Sequence, residues 1–207
     1  MSWNVRNELE RAVVVRRAAE GYDSTVVGML YGEDGNRVLK AVVDSVSGTD
    51  TTWRVTNRWV YDGTAVVADS GASGPGWTWH AYNGLSRVAE LSGDTARVRF
   101  LLTDHLGTVQ AILDDTGAVV GRYQLDPYGN LEGYQGSAST ALLYTGKGFD
   151  ADVGAWYFNA RFYDAERGAF IGRDPKLQFW TPYSYVGNGP LTGIDPDGLL
   201  RPEGSNV

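Results

Sequence analysis

The sequence predicts an all-β fold, built as stacked antiparallel β-hairpins with a loop-rich C-terminal segment. Three observations predict it. Among 207 residues there are 27 Gly against seven Pro, with seven Trp and twelve Tyr, a composition suited to short strands that turn often. Turn signals recur as EDGN (33–36), YDGT (61–64), YNGL (82–85), DDTG (114–117) and PYGN (127–130). The runs between them are β-branched or alternate between apolar and polar residues, and helical periodicity is scarce.

Taken in order, the chain opens with MSWNVRNELERAVVVRRAAEG, whose apolar run Ala12–Val15 sits between charges. That run is too short for the core of a signal peptide or for a membrane span, so neither an export signal nor a span is expected here. Localisation is left between the cytoplasm before export and secretion as part of a larger assembly. The next runs, RVLKAVV (37–43) and WRVTNRWVY (53–61), flank a turn and read as strands. In the second, Trp53, Val55, Asn57, Trp59 and Tyr61 fall on one face and Arg54, Thr56, Arg58 and Val60 on the other, the alternation of a half-buried strand. After SGASGPG (70–76), the best candidate for a linker or long loop, come GWTWHAY (76–82), ARVRFLL (96–102), TVQAIL (108–113) and VVGRYQL (119–125). YQGSAST (134–140) is a second candidate loop, and beyond it the chemistry of the sequence changes. The turn spacing is uneven, which describes a degenerate hairpin repeat and not a strict solenoid.

Composition excludes several functions. Acidic residues outnumber basic ones 25 to 18 and neither sign is gathered into a block, so no nucleic-acid partner is expected. The absence of Cys removes disulfides, thiolate catalysis and thiolate metal sites together. His80 and His105 are the only histidines, too few to anchor a structural zinc site, and no cofactor is expected.

Three C-terminal blocks share an order with a known family. They are LLTDHLGTVQAILDDTGAVVGRYQLDPYGN, YTGKGFDADVGAWYFNARFYDAERGAFIGRDP and PYSYVGNGPLTGIDPDGLL, preceded by Y-D-G and D-G-N-R-V turns. From about Tyr31 to Leu199 the chain resembles the rearrangement-hotspot (Rhs) core with its tyrosine-aspartate repeats, a family that includes the C subunits of toxin complexes. The resemblance is strongest from Thr103 onward. It divides the chain into a poorly matched lead-in (1–30), a repeat sheet of β-hairpins (31–140) and an Rhs-associated core (141–207).

The resemblance implies a β-sheet that spirals into a hollow shell, encapsulates a toxic C-terminal segment and releases it by self-cleavage, with secretion as part of a toxin. Cleavage in the family is ascribed to two Asp acting as in an aspartic protease, with an Arg nearby. The cut follows the Leu of a P-x-x-x-x-D-P-x-G-L signature. Here that signature reads PLTGIDPDGL, from Pro190 to Leu199, and implies Asp195 as one carboxylate and Leu199-Leu200 as the bond cut. Asp174 in GRDP corresponds to the second carboxylate and Arg161 in ARFYD to the Arg.

The chemistry follows from the residue types. Two carboxylates sharing a site cannot both ionise cheaply, so one activates water while the other, protonated, polarises the carbonyl. Arg161 neutralises the pair or holds its geometry. Leu199 lies four residues past Asp195, so the chain must fold back on itself, which Gly198 permits and Pro196 stiffens. With the substrate in the same chain, the reaction is a single turnover and proximity replaces substrate binding.

Each residue also has an ordinary role. Asp195 and Asp174 both precede Pro and suit turns, and the full signature match is what favours catalysis. Arg161 lies among Trp156, Tyr157, Phe158, Phe162 and Tyr163, where it can stack on a ring or pair with Asp164. Asp197 is assigned to turn chemistry. His105 and His80 are expected to be structural, and Trp77, Trp79 and Tyr82 to pack across strands or, alternatively, to present a carbohydrate-binding surface. A non-catalytic scaffold or adhesion module is the other alternative.

Two departures from the family stand out. Only eight residues, LRPEGSNV, follow the expected cut, too few for a folded toxin, and the chain is too short to close a shell. The expected partners are therefore a missing cargo or the rest of a shell in a parent protein, and exposed sheet edges leave self-association open. DPKLQFWT (174–181) also replaces a Gly-rich run of the family between Asp174 and PYSYVGN.

Overall fold

The computed structural model describes residues 2–3, 9–18, 21–47, 50–71, 76–93 and 95–199, with side chains from Thr25 onward apart from 45–50. Leu200 and the tail to Val207 lie outside the described residues. The all-β expectation holds. The chain divides into two compact units, Met1–Trp77 and Thr78–Val207.

The first unit is a run of consecutive antiparallel strands: β1 (Ser2–Trp3), β2 (Leu9–Ala18), β3 (Gly21–Tyr31), β4 (Arg37–Ser47), β5 (Asp50–Asp62) and β6 (Ala65–Ser70). The alternation read in WRVTNRWVY appears in β5, where Val55, Asn57, Trp59 and Tyr61 are half-buried while Arg54, Arg58 and Val60 are exposed. Trp53 departs from that pattern by being exposed. The EDGN turn is tied to the YDGT turn by the Asn36 amide, which donates to the Gly63 carbonyl at 2.9 Å. Val27 and Ala68 are fully buried, and Arg37, buried at the start of β4, lays its guanidinium 4.3 Å from the centre of the Trp59 ring.

The second unit continues the same logic with β7 (Thr78–Asn83), β8 (Ser86–Ser92), β9 (Arg97–Thr103), β10 (Val109–Leu113), β11 (Val119–Leu125) and β12 (Leu131–Gly136), again paired in sequence order. The last three of these connections share one device. Asp104, Asp114 and Asp126 each open a loop whose Gly, three residues on, donates back to the Asp carbonyl, and each carboxylate accepts the backbone N–H groups two and four residues ahead. Short polar side chains that mimic a backbone turn explain why the D-x-x-G pattern recurs.

After β12 the chain is held against β8 by a buried ion pair. Arg87 contacts Glu90 at 3.2 Å, the Thr140 hydroxyl at 2.8 Å and the Leu142 carbonyl, and His80 lies 3.1 Å from the same guanidinium. A four-stranded sheet follows: β13 (Gly148–Asp150), β14 (Ala155–Phe158), β15 (Arg161–Asp164) and β16 (Ala169–Phe170). Its strands are two to four residues long, so rings and not alternation build the core. Tyr144, Trp156, Phe158, Tyr163, Phe170 and Tyr185 form one buried cluster, with Tyr144 and Tyr163 stacked at 6.0 Å. The polar ends of three of these rings find partners in the PYGN turn: Tyr144 donates to the Pro127 carbonyl (2.9 Å), Tyr163 to the Tyr128 carbonyl (2.9 Å) and the Trp156 indole to the Gly129 carbonyl (3.1 Å). Gly129, at φ 91°, leaves no room for a side chain, since a Cβ would stand 2.7 Å from the Tyr144 ring.

Candidate active site

The site is assembled around the hairpin of β14 and β15. Asn159 and Ala160 make its turn, Asn159 at φ 60°, a conformation that Asn tolerates better than most residues. The segment from Asp195 to Leu199 lies on that turn. Ala160 N–H donates to the Asp197 carbonyl at 3.0 Å, and the Lys147 ammonium reaches Asn159 Oδ1 (2.7 Å) and the Pro196 carbonyl. Gly198 is required here: it sits at φ 75°, and a Cβ would stand 2.2 Å from the Phe158 carbonyl oxygen.

Arg161 is the hub. It is 3% exposed, with its guanidinium 3.7 Å from the centre of the Phe170 ring. Nη2 lies 3.3 Å from Asp195 Oδ2, Nε donates to the Gly198 carbonyl, and Nη1 reaches the Pro182 carbonyl at 3.4 Å. Burial pushes the guanidinium below its ordinary value, opposed by the carboxylates of Asp195, Asp174 and Asp197. Asp164, the alternative partner, pairs instead with Arg167 at 3.3 Å.

Asp195 is 3% exposed. Its Oδ1 accepts backbone N–H groups from Gly198 (2.8 Å), Leu199 (3.1 Å) and Asp197 (3.4 Å), leaving Oδ2 to Arg161. Asp197 Oδ1 also accepts the Leu199 N–H, at 2.9 Å. Asp174 is equally buried and opens the 174–178 loop, accepting N–H groups from Lys176 (2.8 Å) and Gln178 (3.4 Å). Its own N–H donates to the Pro182 carbonyl at 2.8 Å, the group that Arg161 also contacts. Pro182 and the field of Arg161 thus connect Asp174 to the Asp195 cluster. Of the expected bond, the Leu199 side is described and Leu200 is not.

Two contributors escaped the sequence. Lys147, in YTGKGFD, is pushed down to about 8 by burial, opposed by the carboxylates of Asp195 and Asp197. A Lys between two Gly in an aromatic block was the available signal. Gln178, in the stretch that departs from the family, donates its amide to the Leu199 carbonyl at 2.9 Å.

Of the remaining candidates, both histidines and Trp79 lie elsewhere in the second unit. His105 Nε2 lies 3.1 Å from the Leu191 carbonyl, and His80 belongs to the Arg87 network. Trp79 is 53% exposed opposite Leu91. Among the described residues, no group of three or more His, Asp or Glu is arranged to hold a metal ion, and no helix is long and apolar enough to cross a membrane.

No family model matches the chain. It is 41% identical to salivary gland surface protein 1 of Aedes aegypti over an alignment of 103 positions that covers 48% of its length, and 25% identical to toxin subunit YenC1 of Yersinia entomophaga over an alignment of 217 positions, gaps included, that covers 96% of its length. A chain of a Photorhabdus luminescens Tc holotoxin pore structure superposes over 97% of this chain with a TM-score of 0.73 at 24% identity, a likeness of fold. This is an Rhs-related core fold. The core spans 3% of the mosquito protein, 22% of YenC1 and 10% of the holotoxin chain, so it corresponds to a small part of each. Within this fold, the hairpin of β14 and β15 supports the segment from Asp195 to Leu199.

Proposed function

We propose that the chain is a core module of an Rhs-type toxin or toxin-complex shell that cuts itself once after Leu199. The observation that carries this reading is the buried Arg161, which binds the Asp195 carboxylate and the Gly198 carbonyl together and so draws the signature back over the carboxylate. Asp195, with a guanidinium on one oxygen and N–H donors on the other, is the ionised partner and takes a proton from water. Asp174 is the acid that protonates the carbonyl oxygen. Water oxygen bonds to the Leu199 carbonyl carbon; as the carbon–nitrogen bond to Leu200 breaks, Asp195 passes the proton it took to the departing nitrogen and Asp174 recovers a proton from the new carboxyl group, so both carboxyls end as they began.

The match of the chain to small parts of long toxin proteins supports a parent protein that supplies the rest of the shell and the released cargo. A scaffold reading draws on the same contacts, because turn N–H groups occupy oxygens of both carboxylates. Intact-mass measurement of freshly synthesised chain separates the two: catalysis predicts loss of LRPEGSNV, and a scaffold predicts the full 207-residue mass.

A further inference from the structure

The loops begun by the two carboxylates meet at one residue, Leu199. Its N–H is held at 3.1 Å by Asp195 Oδ1 and at 2.9 Å by Asp197 Oδ1. Its carbonyl oxygen faces the other loop, 2.9 Å from Gln178 Nε2. A carbonyl oxygen only accepts, so the NH₂ end of the Gln178 amide must face it. The amide is held from behind: the Gln178 backbone N–H bonds Asp174 Oδ2, Lys176 N–H bonds Asp174 Oδ1, and Leu177, at φ 52°, turns the chain between them. Asp174 thereby builds the loop that carries the donor.

We infer that Gln178 is a catalytic residue of the self-cleavage proposed above, donating to the Leu199 carbonyl oxygen as negative charge develops on it ahead of proton transfer from Asp174. The inference rests on that reading and names a group no other part of it uses. When water adds to the carbonyl carbon, the π electrons move onto this oxygen, and a donor already 2.9 Å away gains strength as the charge grows. An amide carries no titratable proton, so it donates equally at every pH at which the carboxylate pair works. It complements Asp174, which supplies a proton, by supplying a fixed dipole. Gln178 is exposed, so water replaces part of what its removal costs, and the loss falls about tenfold to a hundredfold, at or below the range for enclosed oxyanion donors.

The test is cell-free synthesis of the full chain with a brief label, followed by a chase in which the mass loss of residues 200–207 is timed. Wild type is compared with Gln178→Leu and Gln178→Glu, and melting temperatures confirm equal folding. The inference expects wild type to be cut, Gln178→Leu to be slowed about tenfold or more, and Gln178→Glu to be slowed at least as much at pH 7, regaining rate as the pH falls and its carboxyl becomes a donor. Wild-type cleavage with either variant within about twofold of it would overturn the role of Gln178 and leave self-cleavage standing. An uncut wild type would overturn both.

Discussion

Replacing Arg161 by Met removes the charge and the donor fork from the centre of the site while keeping an unbranched apolar stem. Arg161 and Asp195 are each 3% exposed, so the variant strands a buried carboxylate without its cation. Breaking a buried pair from one side costs about 3–5 kcal/mol, against roughly 0–1 kcal/mol for an exposed pair. The carbonyls of Gly198 and Pro182 lose a donor and Phe170 loses its cation, so the upper part of that range applies. For a chain of this size a loss of about 4–5 kcal/mol lowers Tm by about 8–20 °C. Thermal and urea unfolding are to be followed in an Asp174→Asn background, so that every chain keeps its tail. Asp195→Asn removes the stranded charge, so the double variant should be less destabilised than the sum of the singles by about 1 kcal/mol or more. A loss below about 1 kcal/mol for Arg161→Met, or simple additivity, would refute the hub role assigned to this residue.

Other substitutions address the supports. Gly198→Ala forces a Cβ to 2.2 Å from the Phe158 carbonyl oxygen at φ 75°; it should cost about 1–3 kcal/mol and open the signature segment to limited proteolysis, and a wild-type digestion pattern would contradict this. Gly129→Ala, whose Cβ would meet the Tyr144 ring at 2.7 Å, should destabilise by a similar amount, read as a lower urea midpoint. Lys147 sheds its proton at about 8 in the folded chain and near 10.5 when unfolded. The unfolded state therefore binds more protons between those values, and this group's contribution to stability rises from pH 8 to 10 and is flat below. Burial raises Tyr144, Tyr163 and Tyr185, so tyrosine ionisation in the unfolded chain opposes the rise above about pH 10. The urea midpoint should climb between pH 8 and 9.5 more in wild type than in Lys147→Met, and equal slopes would contradict the assignment.

Much of the sheet was legible because turn chemistry and strand period are local. Gly35, Gly63, Gly84, Gly117 and Gly129 all adopt positive φ within the turns read from EDGN, YDGT, YNGL, DDTG and PYGN, and VVGRYQL coincides with β11. The alternation of β5 survived except at Thr56, which is half-buried, and at Trp53, whose ring covers Gly28 on β3 and stays exposed on its outer side. The four-stranded sheet was not legible, since strands of two to four residues are too short to show a period. Its order comes from rings that dock on the carbonyls of the PYGN turn. At the site, the carboxylates and Arg161 came from resemblance to a signature. Lys147 and Gln178 could not, because their contacts cross 49 and 21 residues and no spacing rule links an ammonium to Pro196 or an amide to Leu199.

The most direct test of self-cleavage is synthesis of the chain in ¹⁸O-labelled water, followed by mass analysis of the new C-terminus. The account predicts a wild-type product ending at Leu199 with one ¹⁸O atom in its carboxyl group, and intact chains from both Asp174→Asn and Asp195→Asn. A wild-type chain that keeps residues 200–207, or Asp→Asn chains cut as fast as wild type, would contradict it.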